Sequence, residues 1–178
     1  MRNFIKNVFL FFIIHYKNFI GRNKIPLKTN RVNFNAKIYD SVFGNYNYVG
    51  PNVVINDLIM GSYCSIAPNV IIGGMEHNFN NFSTSTYLYS NQNVVRTIIE
   101  DDVWIGANSC IKTGVRLGKG CVIGANSTVL SDVPPLTIVV GSPARIIKSR
   151  FIDSKDIIFY NLIDFNSKPR NIKTSLKK

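Results

Sequence analysis

The sequence predicts an all-β solenoid on three observations: a strict six-residue repeat, a looser array of the same period upstream, and a polar excursion between them. Residues 99–134 divide without a gap into the hexads IEDDVW, IGANSC, IKTGVR, LGKGCV, IGANST and VLSDVP. Position one is Ile99, Ile105, Ile111, Leu117, Ile123 and Val129, always branched aliphatic. Position five is Val103, Ser109, Val115, Cys121, Ser127 and Val133, always small or β-branched. A period of six fits neither the 3.6 of an amphipathic helix nor the 2 of an alternating strand. It fits a chain that turns: each hexad is a short strand plus a corner, position one points inward, and three hexads close one coil. Stacked coils then bury a continuous core that no single coil could bury alone. Gly at position two in three of the hexads falls where backbone must bend or approach a neighbouring coil closely.

The upstream array reads FGNYNY, VGPNVV, INDLI, MGSYCS, IAPNVI, IGG. Its leading residues are Phe43, Val49, Ile55, Met60, Ile66 and Ile72, with one residue missing before Met60. Between the arrays, residues 74–97 (GMEHNFNNFSTSTYLYSNQNVVRT) break the repeat with Ser, Thr, Asn and aromatic side chains. A solenoid that ejects a loop of this length has a use for it. Pro134-Pro135 and Gly141-Ser142-Pro143 end the regular coils. SKDIIFYNLIDF reads as a short helix with an apolar face of Ile157, Ile158, Leu162 and Phe165, followed by a basic, frayed tail.

At 178 residues the chain holds one domain with terminal appendages. The expected division is an apolar and basic helical segment at 1–30, a β-helix at 31–150 carrying the loop 74–97, and a C-terminal helix with a basic tail at 151–178. The net charge of +11 belongs to the ends: residues 1–31 carry seven Lys/Arg and no acid, and residues 148–178 carry eight against Asp153, Asp156 and Asp164. The body is close to neutral, which argues against a nucleic-acid groove; the charged ends fit an anionic membrane, an acidic polymer or plain solubility. Cys64, Cys110 and Cys121 have no CxxC spacing and an odd count, against both a zinc site and a disulfide framework and for a reducing compartment. Cys64 and Cys121 fall at position five, as buried small side chains. The apolar run from Val8 to Ile14 is too short to span a bilayer, and His15-Tyr16-Lys17-Asn18 is no signal-peptidase site. Residues 1–22 form a helix that either docks on the body or lies in a membrane interface with Lys6, Lys17 and Arg22 facing headgroups. His15 is structural.

The stretch DDVWIGANSCIKTGVRLGKGCVIGANSTVLSDVPPLTIVVGSPARIIKSRF resembles, nearly residue by residue, the C-terminal half of the hexapeptide-repeat acetyltransferases. GSYCSIAPNVIIGGMEHNF followed by STSTY is similar to their xenobiotic and polysaccharide O-acetyltransferase branch. The resemblance implies a single-stranded left-handed parallel β-helix, an exception to the right-handed crossover rule. It implies a homotrimer with acetyl-CoA in a cleft between subunits and no metal. It also implies that His77 is the general base, since an acceptor hydroxyl is a poor nucleophile until its proton is removed and imidazole titrates near neutral pH. No nucleophile for a covalent acyl-enzyme is evident, so transfer from thioester to acceptor is direct. Asn78 or a backbone N–H is the candidate oxyanion donor. The family's cofactor contacts map onto Ala107 and Ala125, whose small side chains expose coil backbone to the pantetheine amides, and onto Arg145 and Lys148 at the phosphates. Where relatives carry Thr-Lys before Asp132 this chain has Leu130-Ser131, so Ser131 keeps a cofactor position with one contact fewer. Trp104 walls the thioester end of the cleft or is a packed coil residue; with Asn78 and Tyr87 it makes up the acceptor side.

The implied reaction is O-acetylation of a sugar hydroxyl, in a surface polysaccharide or its precursor, by a cytoplasmic enzyme peripheral at the inner face of the membrane. Alternatives are a xenobiotic O-acetyltransferase of the chloramphenicol or streptogramin type, an amino-sugar N-acetyltransferase, and a nonenzymatic β-helix scaffold. A carbonic anhydrase-like zinc enzyme needs several histidines, and the body has one.

Overall fold

The computed structural model describes residues 2–26, 28–74, 76–77, 80–85, 87–88 and 95–176, with side chains from residue 8 onward. Helix α1 (Arg2–Ile20) precedes the first coil, β1 (Arg31–Val32), β2 (Lys37–Tyr39) and β3 (Val42–Phe43). The second coil is β4 (Tyr48–Val49), β5 (Val54–Asn56) and β6 (Leu58–Met60). The third is β7 (Ser65–Ile66) and β8 (Ile71–Ile72), then, beyond the loop, β9 (Thr97–Ile99). The fourth is β10 (Trp104–Ile105), β11 (Cys110–Ile111) and β12 (Arg116–Leu117), and the fifth opens with β13 (Val122–Ile123) and β14 (Thr128–Val129). β15 (Thr137–Gly141) and β16 (Ala144–Ser149) form an antiparallel pair, and α2 (Ser154–Asn161) and α3 (Pro169–Ser175) follow.

The strands stack into three parallel faces: β1-β4-β7-β10-β13-β15 with β16 added at the edge, β2-β5-β8-β11-β14, and β3-β6-β9-β12. This is the three-sided solenoid that the repeat predicted, and it is the left-handed parallel β-helix that the family resemblance implied. Every position-one side chain from Ile99 to Val129 is at most 1% exposed and every position-five side chain from Val103 to Val133 at most 5%. At roughly 1.5–3 kcal/mol for each fully buried aliphatic side chain, this interior column supplies most of the apolar driving force.

Each coil turns three corners, and every corner from β2 to β14 passes through the left-handed backbone region, where Asn, Asp and Gly are most at home. Between the first and second faces stand Asn52, Asn69, Asn108 and Asn126, with φ of 57–60°. Their side-chain amides form a ladder, each donating to the Oδ1 of the one in the next coil at 3.0–3.2 Å. Between the second and third faces the same conformation is held by Asp40, Asp57, Gly73 and Gly114, and between the third and first by Tyr46, Tyr63, Asp102, Gly120 and Leu136. The position-two glycines have a different reason. A Cβ on Gly106 would lie 2.5 Å from the nitrogen of Ala125 in the coil above, so close approach excludes a side chain there. The residue missing before Met60 is missing from a corner: Asp57 alone turns the chain from Asn56 to the buried Leu58.

Helix α1 caps the open end of the stack. Ile14 is fully buried, Leu10 packs beside it, and Asn18 exchanges two hydrogen bonds with the backbone of Ile25. Of the three cations that would face headgroups in the membrane-interface alternative, two engage the protein, as the docked alternative requires. Lys17 Nζ donates to the carbonyls of Phe34 and Ala36, and burial lowers its pKa; Arg22 pairs with Asp40 at 2.7 Å. The side chain of Lys6 lies outside the described residues. Lys17 thus supplies donors to first-coil carbonyls at the exposed end of the solenoid, and Arg22 to the Asp40 carboxylate.

The C-terminal arm descends over the third corner. Arg150 Nη1 donates to Asp102 Oδ2 at 2.8 Å and to the Gly120 carbonyl at 3.0 Å, and Tyr160 Oη donates to the same Asp102 oxygen at 2.9 Å. Tyr63 Oη donates to the Ser167 carbonyl, and Phe165 stands against the rings of Tyr63 and Tyr160. The expected apolar face turns inward only in part: Phe165 is buried and Ile157 half-buried. Tyr160 is buried while Ile158 and Leu162 are exposed, because the Asp102 carboxylate fixes the tyrosine hydroxyl and with it the helix rotation. Burial, reinforced by that carboxylate, pushes the tyrosine pKa up. The expected frayed tail is the short helix α3, started by Pro169, whose ring presets a helical φ.

Replacing Asp102 with Asn should leave Arg150 and Tyr160 short of a charged acceptor and cost about 1–3 kcal/mol in thermal or denaturant unfolding. The cysteines give a second check. Burial pushes the thiols of Cys64 and Cys121 up to about 12, whereas Cys110 is exposed. Ellman's reagent should find one fast thiol in the native protein and three in denaturant. Unfolded thiols ionise near about 8.5, so above that pH the unfolded chain binds fewer protons than the native one. Stability should then fall as pH rises from about 9 toward 12, read as a lower denaturant midpoint at pH 10 than at pH 8.

Candidate active site

The loop leaves the stack at the second corner, after Gly73, and re-enters at Thr97. Its two ends are held to the coil above. Glu76 Oε2 lies 3.7 Å from Lys112 Nζ, and Thr113 Oγ1 donates to the Val95 carbonyl at 3.0 Å. His77 sits beside the first of these ties, exposed, with Nδ1 2.5 Å from the carbonyl oxygen of Thr84. A carbonyl only accepts, so Nδ1 carries the hydrogen, and in the neutral ring Nε2 keeps its lone pair. A side chain held this way can take a proton from a hydroxyl presented to its free nitrogen. Tyr87 stands on the same loop, exposed, its N–H donating to Ser85 Oγ at 3.3 Å. Asn78 lies outside the described residues.

Ala107 and Ala125 occupy the first corner, each just before an asparagine of the ladder. In the two coils below, the same position is Pro51 and Pro68. The exchange matters because proline has no N–H. The position-three carbonyls of three successive coils, Pro51, Pro68 and Ala107, all accept from the asparagine backbone of the next coil. The N–H groups of Ala107 and Ala125 meet no acceptor among the described residues. The upper two coils therefore carry a backbone donor without an acceptor among the described residues on a small-residue corner, where the lower two carry proline rings.

Trp104 lies on the outer side of the first face, more than half exposed and in register with Ser65 below and Val122 above. Arg145 and Lys148 stand exposed on β16, at the edge of that same face. Arg145 Nη1 donates to the neighbouring Ala144 carbonyl at 2.9 Å and meets no carboxylate among the described residues. Ser131 is exposed one residue before Asp132, whose carboxylate accepts from the Arg116 backbone at 2.8 Å. Trp104, Ala107, Ala125, Arg145 and Lys148 thus share the first face and its corner with the second. His77 and Tyr87 belong to the opposite edge of the second face. One chain carries the two groups on different corners, separated by the width of the β2-β5-β8-β11-β14 face. The loop ties and Thr84 carry no sequence signal. Thr84 is one hydroxyl in the run STST, and Lys112 is an unremarkable position-two residue. Among the described residues no cluster of His, Cys, Asp or Glu is arranged to hold a metal.

Residues 96–131 match the family described as the hexapeptide repeat of succinyl-transferase. Among curated relatives, a chloramphenicol acetyltransferase of Klebsiella aerogenes is 37% identical over 92 residues, 52% of this chain and 44% of that protein. A probable macrolide acetyltransferase of Lysinibacillus sphaericus is 52% identical over 59 residues, 33% of each chain. These matches span less than half the length of the curated relatives. Among solved structures, a hexapeptide-repeat acetyltransferase of Vibrio cholerae complexed with acetyl coenzyme A superposes with a TM-score of 0.62 at 30% identity, over 71% of this chain and 69% of that one. A serine acetyltransferase of Neisseria gonorrhoeae superposes with a TM-score of 0.58 at 27% identity, over 73% of this chain and 46% of that one. Repeat, fold, corner chemistry and this coverage agree: the chain belongs to the hexapeptide-repeat acetyltransferases.

Proposed function

We propose that this protein is an acetyl-CoA-dependent O-acetyltransferase acting on a sugar hydroxyl of a surface polysaccharide or its precursor. The observation that carries the reading is His77, an exposed imidazole on the loop that interrupts the coils, with Nδ1 engaged by Thr84 and Nε2 meeting no partner among the described residues. His77 takes the acceptor's hydroxyl proton at Nε2 as the oxygen becomes a nucleophile, and returns it to the departing thiolate. Acetyl-CoA supplies the activated acetyl group. The chain's own groups fit it: the N–H groups of Ala107 and Ala125 suit the pantetheine amides, and the exposed cations of Arg145 and Lys148 suit the phosphates, with Ser131 near them in sequence. Trp104 stands on the same face to wall the cleft, and Tyr87 with Asn78 flanks the acceptor.

Because His77 and the alanine corner occupy opposite edges of one face, a homotrimer that sets the loop of one chain against the alanine corner of the next completes the site. The working place is the cytoplasm, at the inner face of the membrane. A xenobiotic acceptor is the second reading, favoured by the chloramphenicol and macrolide acetyltransferase relatives.

His77→Ala should lower turnover by roughly 10²–10⁴-fold while acetyl-CoA binding changes little. Near-parental turnover on the acceptor would overturn the assignment. Ala107→Pro and Ala125→Pro restore the residue of the coils below, so the fold should persist. Each removes one donor and should weaken acetyl-CoA binding about 2–10-fold by calorimetry. Light scattering should give the mass of three chains; a monomer that turns over acetyl-CoA would exclude the shared site. A screen of nucleotide sugars, lipid-linked glycans and chloramphenicol decides the acceptor.

A further inference from the structure

The solvent side of α1 is the least expected surface of the molecule. Its inner side buries Ile14 and Leu10 against the first coil, yet the outer side carries Phe9, Phe12, Tyr16, Phe19 and Ile20, from 55 to 80% exposed. These residues recur at helical spacing and form one continuous aromatic stripe. Beside it, Phe34 and Tyr39 of the first coil are also exposed, and a groove of about 700 Å³ joins them to the stripe. The charge around the stripe has one sign. No acidic residue occurs before Asp40, which is already paired with Arg22, while Lys24 and Lys28 are exposed on the segment between α1 and the first coil and Arg31 and Lys37 on that coil. No described helix is long and apolar enough to cross a membrane.

We propose that this face seats on an anionic lipid bilayer, and that the acceptor is the distal part of a lipid-linked glycan. An aromatic stripe ringed by cations without acids is the pattern of a helix lying in the headgroup region. It complements a negatively charged surface better than a second copy of itself, which would bring like charges together. The second half rests on the acetyltransferase reading above and on the height of the site. Since α1 closes the end of the solenoid, its outer face looks along the stack. Ala107 follows β10, three strands above β1, and Ala125 follows β13, four above it. With neighbouring strands about 4.8 Å apart and about 10 Å for the helix itself, the alanine corner stands roughly 25–30 Å from the surface under α1. A hydroxyl at that height must be carried away from its lipid by intervening sugars, whereas a small free substrate gains nothing from the docking.

Flotation of the full chain with phosphatidylcholine vesicles, with and without phosphatidylglycerol, tests the first half. The protein should float with the anionic vesicles and less so in high salt. Phe12→Asp with Phe19→Asp, both at exposed positions, should cut the bound fraction about tenfold or more with unchanged thermal unfolding. No flotation, or flotation unchanged by the double substitution, overturns the proposal; so does loss of a larger oligomer on substitution without a change in flotation, which would make the stripe a contact between copies. For the second half, acetyl transfer to a lipid-linked oligosaccharide in those vesicles is compared with transfer to the same saccharide released from its lipid. The parent protein should prefer the vesicle-borne acceptor and the double variant should lose that preference while keeping its rate on the released one. Equal parental rates on both overturn the acceptor assignment. Normal flotation with no transfer to any acceptor would sink the acetyltransferase reading and the acceptor assignment, and leave the docking standing.

Discussion

No coil of this protein satisfies its own backbone. Trp104 N–H donates to Cys121 in the coil above, Cys110 to Ser127, Ile98 to Val115. A strand of two or three residues has no other partner, and in a buried face an unpaired amide is costly. Every coil must therefore repeat the geometry of its neighbours closely enough for the ladders to close. Corners, glycines and interior side chains all serve that match. The left-handed residues stack on one another, and Gly106 and Gly118 leave room for backbone rather than for a side chain.

The same demand decides where the chain can depart from regularity. The ladder closes through Ile71 and Gly73 before the loop and resumes at Thr97 and Ile98 after it, so the excursion interrupts no face. It springs from the corner at which the coils below turn on Asp40 and Asp57 alone. The loop that carries His77 is thereby mounted on the solenoid with both ends fastened. The alanine corner follows the same logic in reverse: two coils change one residue type, the backbone path is kept, and what changes is the presence of an N–H.

Much of this was legible in the sequence. The hexads fixed which residues face inward, down to Cys64 and Cys121, because a six-residue period admits few other readings once position one is invariantly aliphatic. His77 stood out through its place in the loop. The asparagine ladder was not foreseen, although IGAN occurs twice, because a left-handed corner residue is a property of backbone torsion that hexad counting does not report. The rotation of α2 was missed for another reason. Its apolar pattern suggested Ile158 and Leu162, but one carboxylate on Asp102, far away in sequence, outranks two aliphatic side chains. The direction of Lys17 was left open in the sequence, since a lysine beside an apolar run looks the same whether its amine meets water or the carbonyls of Phe34 and Ala36.

The C-terminal arm changes how such a stack comes apart. A solenoid of nearest-neighbour contacts can lose its coils one at a time from either end, each at little more than its own interface energy. Here Arg150, Tyr160 and Ser167 tie the last turns to Gly120, Asp102 and Tyr63, and α1 is pinned through Ile14 and Asn18 at the other end. Fraying at the upper end must first peel the arm from three successive coils. The strap thus turns a zipper into a bundle that opens as one unit, and the coils that carry the alanine corner lie within the bound region.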